Sequence, residues 1–245
     1  MRASLIASIQ SLITLTAKEI HEINFLFKKK TLKKGEFFLA DGQVSQYVGF
    51  ILKGLMRYYI NMDGEDKTYA FAQENNFVCN YESFVPQKPS TKIIQALEDC
   101  EILQISYDDL EIFYKVIGEG ERFGRLVINQ VFIELLQDLS SFYTDTPEQR
   151  YEKFIKKHPD LQQRISQYHI ASSVGVKPQS LSRIRKRFLL KIDLLTQVHR
   201  CRQQVIEFCI IILKQYYDGK ENFYFIGFPD RAGIDFFGSK IFHFS

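Results

Sequence analysis

The chain has 245 residues, of which 45% are hydrophobic, and a formal net charge of +3. This length allows two modest domains with buried cores. No apolar stretch approaches the roughly 18 residues that a membrane-spanning helix needs. The N-terminal segment lacks the uninterrupted apolar block and cleavage site of a signal peptide. A cytoplasmic protein without a membrane partner is therefore expected.

The residues that usually carry metal or catalytic chemistry are dispersed along the chain. Its cysteines, Cys79, Cys100, Cys201 and Cys209, form no C-x-x-C pair, and its five histidines have no ligand spacing. No carboxylate pair, nucleophile–base frame or glycine-rich phosphate loop is visible. We therefore expect reduced thiols, no metal, no cofactor and no enzymatic activity.

Within the first hundred residues, the predicted secondary structure changes from helix to strand. Between Ala3 and about Lys29, apolar residues recur every three or four positions, which predicts two short helices. Short aromatic or β-branched segments follow, at 36–40, 47–52, 55–61, 67–72 and 93–105. Glycines separate several of them, and Asp63-Gly64 between two alternating runs is a strong hairpin signal. This pattern predicts an antiparallel roll or barrel.

Helices are predicted after the roll. A short one spans Asp108–Lys115, and a longer one runs from about Glu119 to Phe142 with an apolar spacing near seven residues over two turns. Such a helix can pair with a second copy of itself, or it can pack only on its own roll. The residues assigned to the dimer contact are Phe123, Leu126, Val127, Gln130 and Ile133. Pro147 begins another helix through Lys157, and Pro159 ends it.

Residues 161–192 contain seven basic side chains and no acidic one, so the rest of the chain carries a net −4. This asymmetry predicts a polyanionic partner. The same window has the pattern of a helix-turn-helix. Ser166 can cap its first helix, Ala171 lies where the helices cross, Gly175 falls in the turn, and Pro178 begins the second helix.

The second helix is predicted to have one buried and one outward face. Leu181, Ile184 and Phe188 form the apolar stripe, which turns Gln179, Arg183 and Lys186 to the opposite side. Such a helix can enter the major groove of DNA. The predicted base-reading residues are Gln179, Ser180 and Arg183. The predicted phosphate contacts are Ser166, Gln167, Lys177, Arg185 and Lys186, and Ser180 can serve either role. The alternative is that this basic run is merely a solvated face.

A roll, a long helix and a helix-turn-helix in this order resemble the Crp/Fnr family of bacterial transcription regulators. The resemblance covers about residues 10–195 and is carried by Lys34-Gly35-Glu36, Gly42, Leu52-Lys53-Gly54, the block 77–106 and Ser180-Leu181-Ser182-Arg183-Ile184. It implies an α+β fold with a jelly-roll-like antiparallel β-roll and a winged-helix-like C-terminal part. The implied division is a sensor roll (1–118), a dimerisation helix (119–146), a DNA-binding domain (147–198) and a C-terminal extension (199–245).

The roll departs from the family's cyclic-AMP-binding pattern. Members that bind cyclic AMP carry Gly-Glu-Leu early in a phosphate cassette and Arg-Ser at its end. Aligned without gaps, this chain has Cys79-Asn80-Tyr81 and Ser90-Thr91 there. Without the buried arginine, desolvating a cyclic phosphate costs several kcal/mol, unless Lys88 or Lys92 moves into the pocket and supplies the missing positive charge. Weak or absent cyclic-nucleotide binding is expected. The candidate effector pocket comprises Cys79, Asn80, Tyr81, Lys88, Ser90 and Thr91.

By position, the family's base-reading trio falls on Pro178, Gln179 and Arg183, and only Arg183 keeps the family residue type. The sequence therefore predicts a homodimeric regulator that binds double-stranded DNA, with RNA polymerase and an unidentified small-molecule effector as further candidate partners. The alternative is a ligand-sensing or protein-interaction module that binds DNA only nonspecifically. The phenylalanine-rich extension after about Val198 is either a functional appendage or a poorly ordered tail.

Overall fold

The computed structural model describes residues 2–190 together with residues 203, 206 and 207. The expectations for residues 199–245, for Lys191, and for the thiols Cys201 and Cys209 lie outside the described residues. Residues Met1–Phe188 are grouped as one compact unit, and the fold below is that of this unit.

Two helices precede the strands, as the three- and four-residue spacing predicts: α1 (Ala3–Gln10) and α2 (Ala17–Leu26). Thr16 and Glu19 form a capping box at the start of α2, which satisfies two backbone donors at once. The strands are β1 (Lys28–Leu32), β2 (Phe37–Leu39), β3 (Tyr47–Lys53), β4 (Met56–Met62), β5 (Glu65–Ala72), β6 (Phe77–Val78), β7 (Ile93–Ala96) and β8 (Cys100–Ser106), with the short helix α3 (Tyr81–Phe84) between β6 and β7.

The strands form two four-stranded antiparallel sheets, ordered β1-β8-β3-β6 and β2-β7-β4-β5. Buried side chains from both sheets form one core, among them Ile51, Met56, Ile94 and Ile102. A second core lies where α1, α2 and the following helices cover the other face of the first sheet, around Phe50 and Leu103. The predicted α+β class with an antiparallel roll is confirmed.

The turn between β4 and β5 is the predicted Asp63-Gly64 hairpin. Both residues have positive φ, 54° and 83°, which suits the right-handed twist of the flanking strands. Met62 pairs with Glu65 across the turn. Asp63 can adopt this conformation because aspartate tolerates the left-handed region better than most side chains.

Three strand predictions need correction. The Lys28–Lys34 run contains β1, which pairs with β8 in register from Lys28 with Gln104 to Leu32 with Cys100. Lysines on an edge strand discourage pairing with another chain, so a charged run and a strand are compatible here. The predicted segment 93–105 is two strands, β7 and β8, which lie in different sheets. The two-residue strand β6 has no counterpart in the prediction.

Helices follow the roll: α4 (Tyr107–Val116), α5 (Gly120–Thr144), α6 (Pro147–Lys157), α7 (Leu161–Arg164), α8 (Gln167–Val174) and a helix over 178–190, here α9. Pro147 at the first position begins α6, as the sequence predicts, and Thr146 and Gln149 form a capping box there. Helix α7 was not predicted. Residues 147–190 contain no strand, so no wing of the expected winged helix occurs within that range.

Candidate nucleic-acid interface

Helix α8 and the turn after it form the frame of the candidate interface. The Ser166 hydroxyl accepts a hydrogen bond from the His169 amide and caps α8. Gly175 ends the helix with φ 73°, and the Val176 amide donates to the Ala171 carbonyl at 2.9 Å. This hydrogen bond and the left-handed glycine stop the helix in the manner of a Schellman turn. The side chains of Ile170, Ala171 and Val174 are buried beneath it.

Helix α9 has the two faces that its sequence predicts. Leu181 and Ile184 are buried in a core shared with α8, and the Phe188 ring packs edge-on against Tyr151 with centroids 5.6 Å apart. The outward face of α9, defined as Gln179, Ser180, Arg183 and Lys186, is exposed along its length. In the described part of the chain, no salt bridge involves a side chain of this face. Amide, hydroxyl and guanidinium groups are therefore presented together on one side of a helix.

The predicted phosphate contacts have different environments. Ser166, Gln167 and Lys177 are exposed near the α8–α9 turn. Lys177 also lies near the β4–β5 hairpin. Its charge adds to the larger effect of the Lys67 hydrogen bond, and both lower the pKa of Glu65. Arg185 is half-buried, and its charge and hydrogen bond oppose the rise that burial causes in the pKa of Tyr151. Arg185 is thus the least accessible member of this set.

Counting charges along residues 161–192 overestimates the positive surface. Arg164 is paired with Glu74 and Glu98, at 2.9 and 2.7 Å, and is therefore neutralised by the roll. Arg187 is paired with Glu148 on α6 at 3.1 Å. Lys191 lies outside the described residues. The carboxylates come from segments distant in sequence, so no local charge count could have found them. Among the described residues of this window, the basic side chains without an ion pair are Lys177, Arg183, Arg185 and Lys186.

The candidate effector pocket is only partly assembled. Asn80 donates through Nδ2 to the Ser90 hydroxyl at 2.5 Å, and both side chains are buried. Ser90 also accepts from the Lys92 amide at 2.9 Å and is placed to donate to the Lys92 carbonyl. The polar groups at the two ends of the cassette therefore satisfy each other. Lys88 and Thr91 are exposed outside this contact.

No cation is buried within residues 77–92. Lys88 is exposed, and the Lys92 ammonium is paired with Glu82. Cys79 lies beside the Ser45 hydroxyl, and burial raises the pKa of its thiol to about 12, so the thiol is neutral. This environment disfavours an anionic ligand, because a buried phosphate needs a partner charge.

A surface cleft of about 290 Å³ adjoins the cassette at Tyr81. It is lined by Tyr114 of α4 and by Arg125 and Asn129 of α5, none of which the sequence singled out. Burial raises the pKa of Tyr114 to about 12, so its hydroxyl is a neutral donor. Only the fold brings these three elements together, and no spacing in the sequence could have identified the cleft.

The residues predicted for the dimer contact are partly wrong. Phe123 is buried in the chain's own core, 5.9 Å from the Phe113 ring, and Val127 packs against the same core. Leu126 is half-buried, Gln130 is hydrogen-bonded to Glu134, and Ile133 is exposed. A periodicity near seven identifies a stripe, but here that stripe includes the face that packs on the roll.

A different apolar stripe on α5 is exposed over most of its length. It alternates four- and three-residue steps and consists of the half-buried Ile128 and the exposed Phe132, Leu135, Leu139 and Phe142. Phe132 and Leu139 are 57% and 52% exposed, and they lie about opposite Phe123 around the helix. This α5 stripe has the spacing of a two-stranded coiled coil.

Within the described residues, no group of three His, Cys, Asp or Glu side chains could hold a metal ion. No described helix is both long and apolar enough to cross a bilayer.

Residues 29–126 match the cyclic nucleotide-binding domain family. The structure resembles FixK2 from Bradyrhizobium japonicum, with a TM-score of 0.59, 14% identity, and coverage of 67% of this chain and 85% of that one. It also resembles a protein from Eubacterium rectale described as a transcriptional regulator of the crp/fnr family, with a TM-score of 0.54, 13% identity, and coverage of 72% and 85%. The chain has the fold of a Crp/Fnr-like regulator.

The Crp/Fnr-like fold is also that of CLP from Xanthomonas campestris, a regulator described as responsive to c-di-GMP. Its TM-score is 0.57 and its identity 14%, and the match covers 72% of this chain and 93% of that one. No curated protein matches the sequence. The expectation of a Crp/Fnr-type roll is therefore confirmed at the level of fold.

Proposed function

We propose that the chain is a sequence-specific DNA-binding transcription regulator that reads a palindromic operator as a homodimer. Helices α8 and α9 act as its helix-turn-helix, and α9 enters the major groove. The observation that carries the proposal is the outward face of α9, where Gln179 and Arg183 are exposed beside Lys186 while Leu181 and Ile184 anchor the helix from below.

The chemistry of this face suits base reading. An arginine can donate two hydrogen bonds to the O6 and N7 of guanine, and a glutamine can pair with the N6 and N7 of adenine. Lys177 and Lys186 supply charge for phosphates, with Ser166 and Gln167 at the other side of the turn as further donors. Ser166 retains its hydroxyl hydrogen for such a contact because its oxygen is the acceptor in the cap.

The α5 stripe supports homodimer formation. Two copies pairing through Phe132, Leu135 and Leu139 bury apolar side chains that one copy leaves in water. A two-fold axis also places two reading helices about one turn of DNA apart, which a palindromic site requires. In this proposal the chain divides into the sensor roll (1–118), the dimer helix (119–146), the DNA-binding part (147–198) and the extension (199–245).

We further propose that cyclic AMP does not control the protein. The support is the hydrogen bond that the buried Asn80 amide already donates to the buried Ser90 hydroxyl, together with the absence of a buried cation within residues 77–92. The roll would instead respond to a different ligand, or to none. The cleft on α5, lined by Arg125, Glu121 and the Tyr114 hydroxyl, is a candidate site for such a ligand.

In vitro selection of bound DNA, followed by competition between the selected and random duplexes, tests the proposed function. The expected result is a symmetric consensus whose half-sites are centred about 10 base pairs apart. It should bind at least about a thousandfold more tightly than random duplex at equal salt. Equal affinity for the selected and the random duplexes would favour the second candidate function, a sensor or protein-interaction module that binds DNA only nonspecifically. The basic residues near the α8–α9 turn would be enough for such nonspecific binding.

A further inference from the structure

One arginine joins two carboxylates of the roll to the C-terminal helices. The Arg164 guanidinium, at the end of α7, donates to Glu98 through Nε at 3.0 Å and through one terminal nitrogen at 2.7 Å. It donates to both oxygens of Glu74 at 2.9 Å. The three side chains are between 24% and 34% exposed, so water screens the pairs only in part. We name this cluster the Arg164 latch.

The carboxylates of the latch lie on the segments that flank residues 77–92, the cassette that contains the candidate effector pocket. Glu74 comes three residues before Phe77, where β6 begins, and it also accepts a hydrogen bond from the Gly54 amide at 2.8 Å. Glu98 follows β7, the strand that leaves the cassette. A displacement of either end of the cassette would therefore move one of the two carboxylates relative to Arg164.

The rest of the contact between the roll and the C-terminal helices is partly polar and partly apolar. The Ser172 hydroxyl donates to the Thr68 carbonyl at 3.1 Å. Arg57 and the His169 ring meet at 3.5 Å. Leu55, Phe71 and Leu97 of the roll pack in the core of the C-terminal helices, where the ring centroids of Phe71 and Phe154 lie 6.0 Å apart. The latch is the part of this contact in which opposite full charges meet.

The outward face of α9 stays exposed while this contact is made. We propose that Arg164 is a positioning residue for DNA binding: its pairing with Glu74 and Glu98 holds the C-terminal helices on the roll and so fixes the orientation of α9. The role in DNA binding rests on the proposed function. The attachment itself does not, and it can be measured without DNA.

The test compares the full-length wild type with the double variant Glu74→Gln/Glu98→Gln. Glutamine keeps the shape and the acceptor oxygens of both side chains but removes both charges. Glu101→Gln is the matched control, because its carboxylate pairs with Lys29 on the roll, away from the C-terminal helices. The measurements are small-angle X-ray scattering, the thermal unfolding midpoint, and affinity for the selected duplex.

We expect the double variant to have a larger radius of gyration and about tenfold weaker DNA binding, because a competent orientation populated one-tenth of the time lowers affinity by that factor. The base preferences should be unchanged. Arg164→Lys, which keeps the charge but not the planar fork, should fall between the two.

Unchanged scattering in the double variant would overturn the latch, whether or not the wild type binds DNA. Altered scattering with unchanged DNA affinity would overturn the positioning role. A lowered unfolding midpoint, without a change in scattering or affinity, would show that the latch stabilises the fold but does not orient α9. Failure of the wild type to prefer any DNA sequence would instead overturn the proposed function. In that case the scattering comparison still decides whether Arg164 holds the two parts together.

Discussion

Arg150 of α6 donates a hydrogen bond through Nε to the carbonyl oxygen of Val174, the last residue of α8, at 2.8 Å. The same guanidinium donates to the Asp145 carbonyl at 2.9 Å, where α5 ends, and lies 5.4 Å from the Phe142 ring centroid. The end of the proposed dimer helix is therefore tied to the turn that precedes α9. Any rotation between α5 and the reading helix has to break these contacts.

Replacing Arg150 by glutamine should destabilise the protein. It removes two hydrogen bonds from a charged donor and leaves partly buried carbonyls without a partner, at a cost of about 1–3 kcal/mol. The thermal unfolding midpoint should fall by several degrees. Arg187→Gln is the control, because it breaks only the exposed ion pair with Glu148, which contributes about 0–1 kcal/mol. Equal, negligible shifts for both variants would contradict the role assigned to Arg150.

A charge placed in the α5 stripe should dissociate the dimer. Phe132→Glu would bury an unpaired carboxylate at a paired helix face, which costs several kcal/mol. The dimer dissociation constant should rise at least about a hundredfold, since each 1.4 kcal/mol is a factor of ten. Sedimentation equilibrium measures it. Gln137→Glu, at an exposed position outside the stripe on the same helix, should leave association unchanged. A dimer that resists Phe132→Glu must form elsewhere.

Isothermal titration of the full-length protein with cyclic AMP should give no heat of binding at micromolar concentrations. The Asn80 and Ser90 side chains are already satisfied by each other, and no cation within residues 77–92 is buried to neutralise the phosphate. The unfolding midpoint should likewise not rise with nucleotide concentration, because a ligand stabilises only the form that binds it. A micromolar dissociation constant would show that Lys88 or Lys92 can move into the cassette.

Stability should fall as the pH drops below about 6.5. Burial and the nearby charge of Arg57 lower the pKa of His169 from its ordinary value of 6.5, with Asp66 opposing, and burial also lowers that of His158. Above this pH both histidines are neutral whether the chain is folded or not. Below it the unfolded chain takes up protons more readily, so the free energy of unfolding decreases.

Denaturant titrations at about pH 7.5 and pH 5.5 measure this slope. His169→Gln should reduce it, because its proton uptake on unfolding is removed. Carboxylates with lowered pKa values, such as Glu74, change the free energy of unfolding only at lower pH. They therefore do not affect the difference in stability between about pH 7.5 and pH 5.5. An identical slope in the wild type and His169→Gln would contradict the assigned burial of this ring.

Much of the fold could be predicted because its signals are local. The Asp63-Gly64 turn, the helix start at Pro147 and the Gly175 turn each depend on the conformations open to one or two residues. The same is true of the two faces of α9, since helical periodicity determines which side chains share a side. These elements lie where the sequence predicts them.

The errors concern contacts between distant segments. Arg164 looked like part of a basic surface until Glu74 and Glu98 were brought to it from the roll. Phe123 looked like a dimer contact because periodicity selects a stripe without saying what covers it. Strand β1 was not predicted, because its run of lysines lacks the aromatic and β-branched pattern of the later strands, and it becomes a strand by pairing with β8.

The central claim is that the outward face of α9 reads base sequence, and comparing Arg183→Ala with Lys186→Ala on the selected duplexes tests it most directly. Arg183→Ala should relax the preference at one base position in each half-site and cost about 1–3 kcal/mol. Lys186→Ala should weaken binding to all sequences alike and lower the salt slope by about one per subunit. Equal, sequence-independent losses from both substitutions would contradict groove reading by α9.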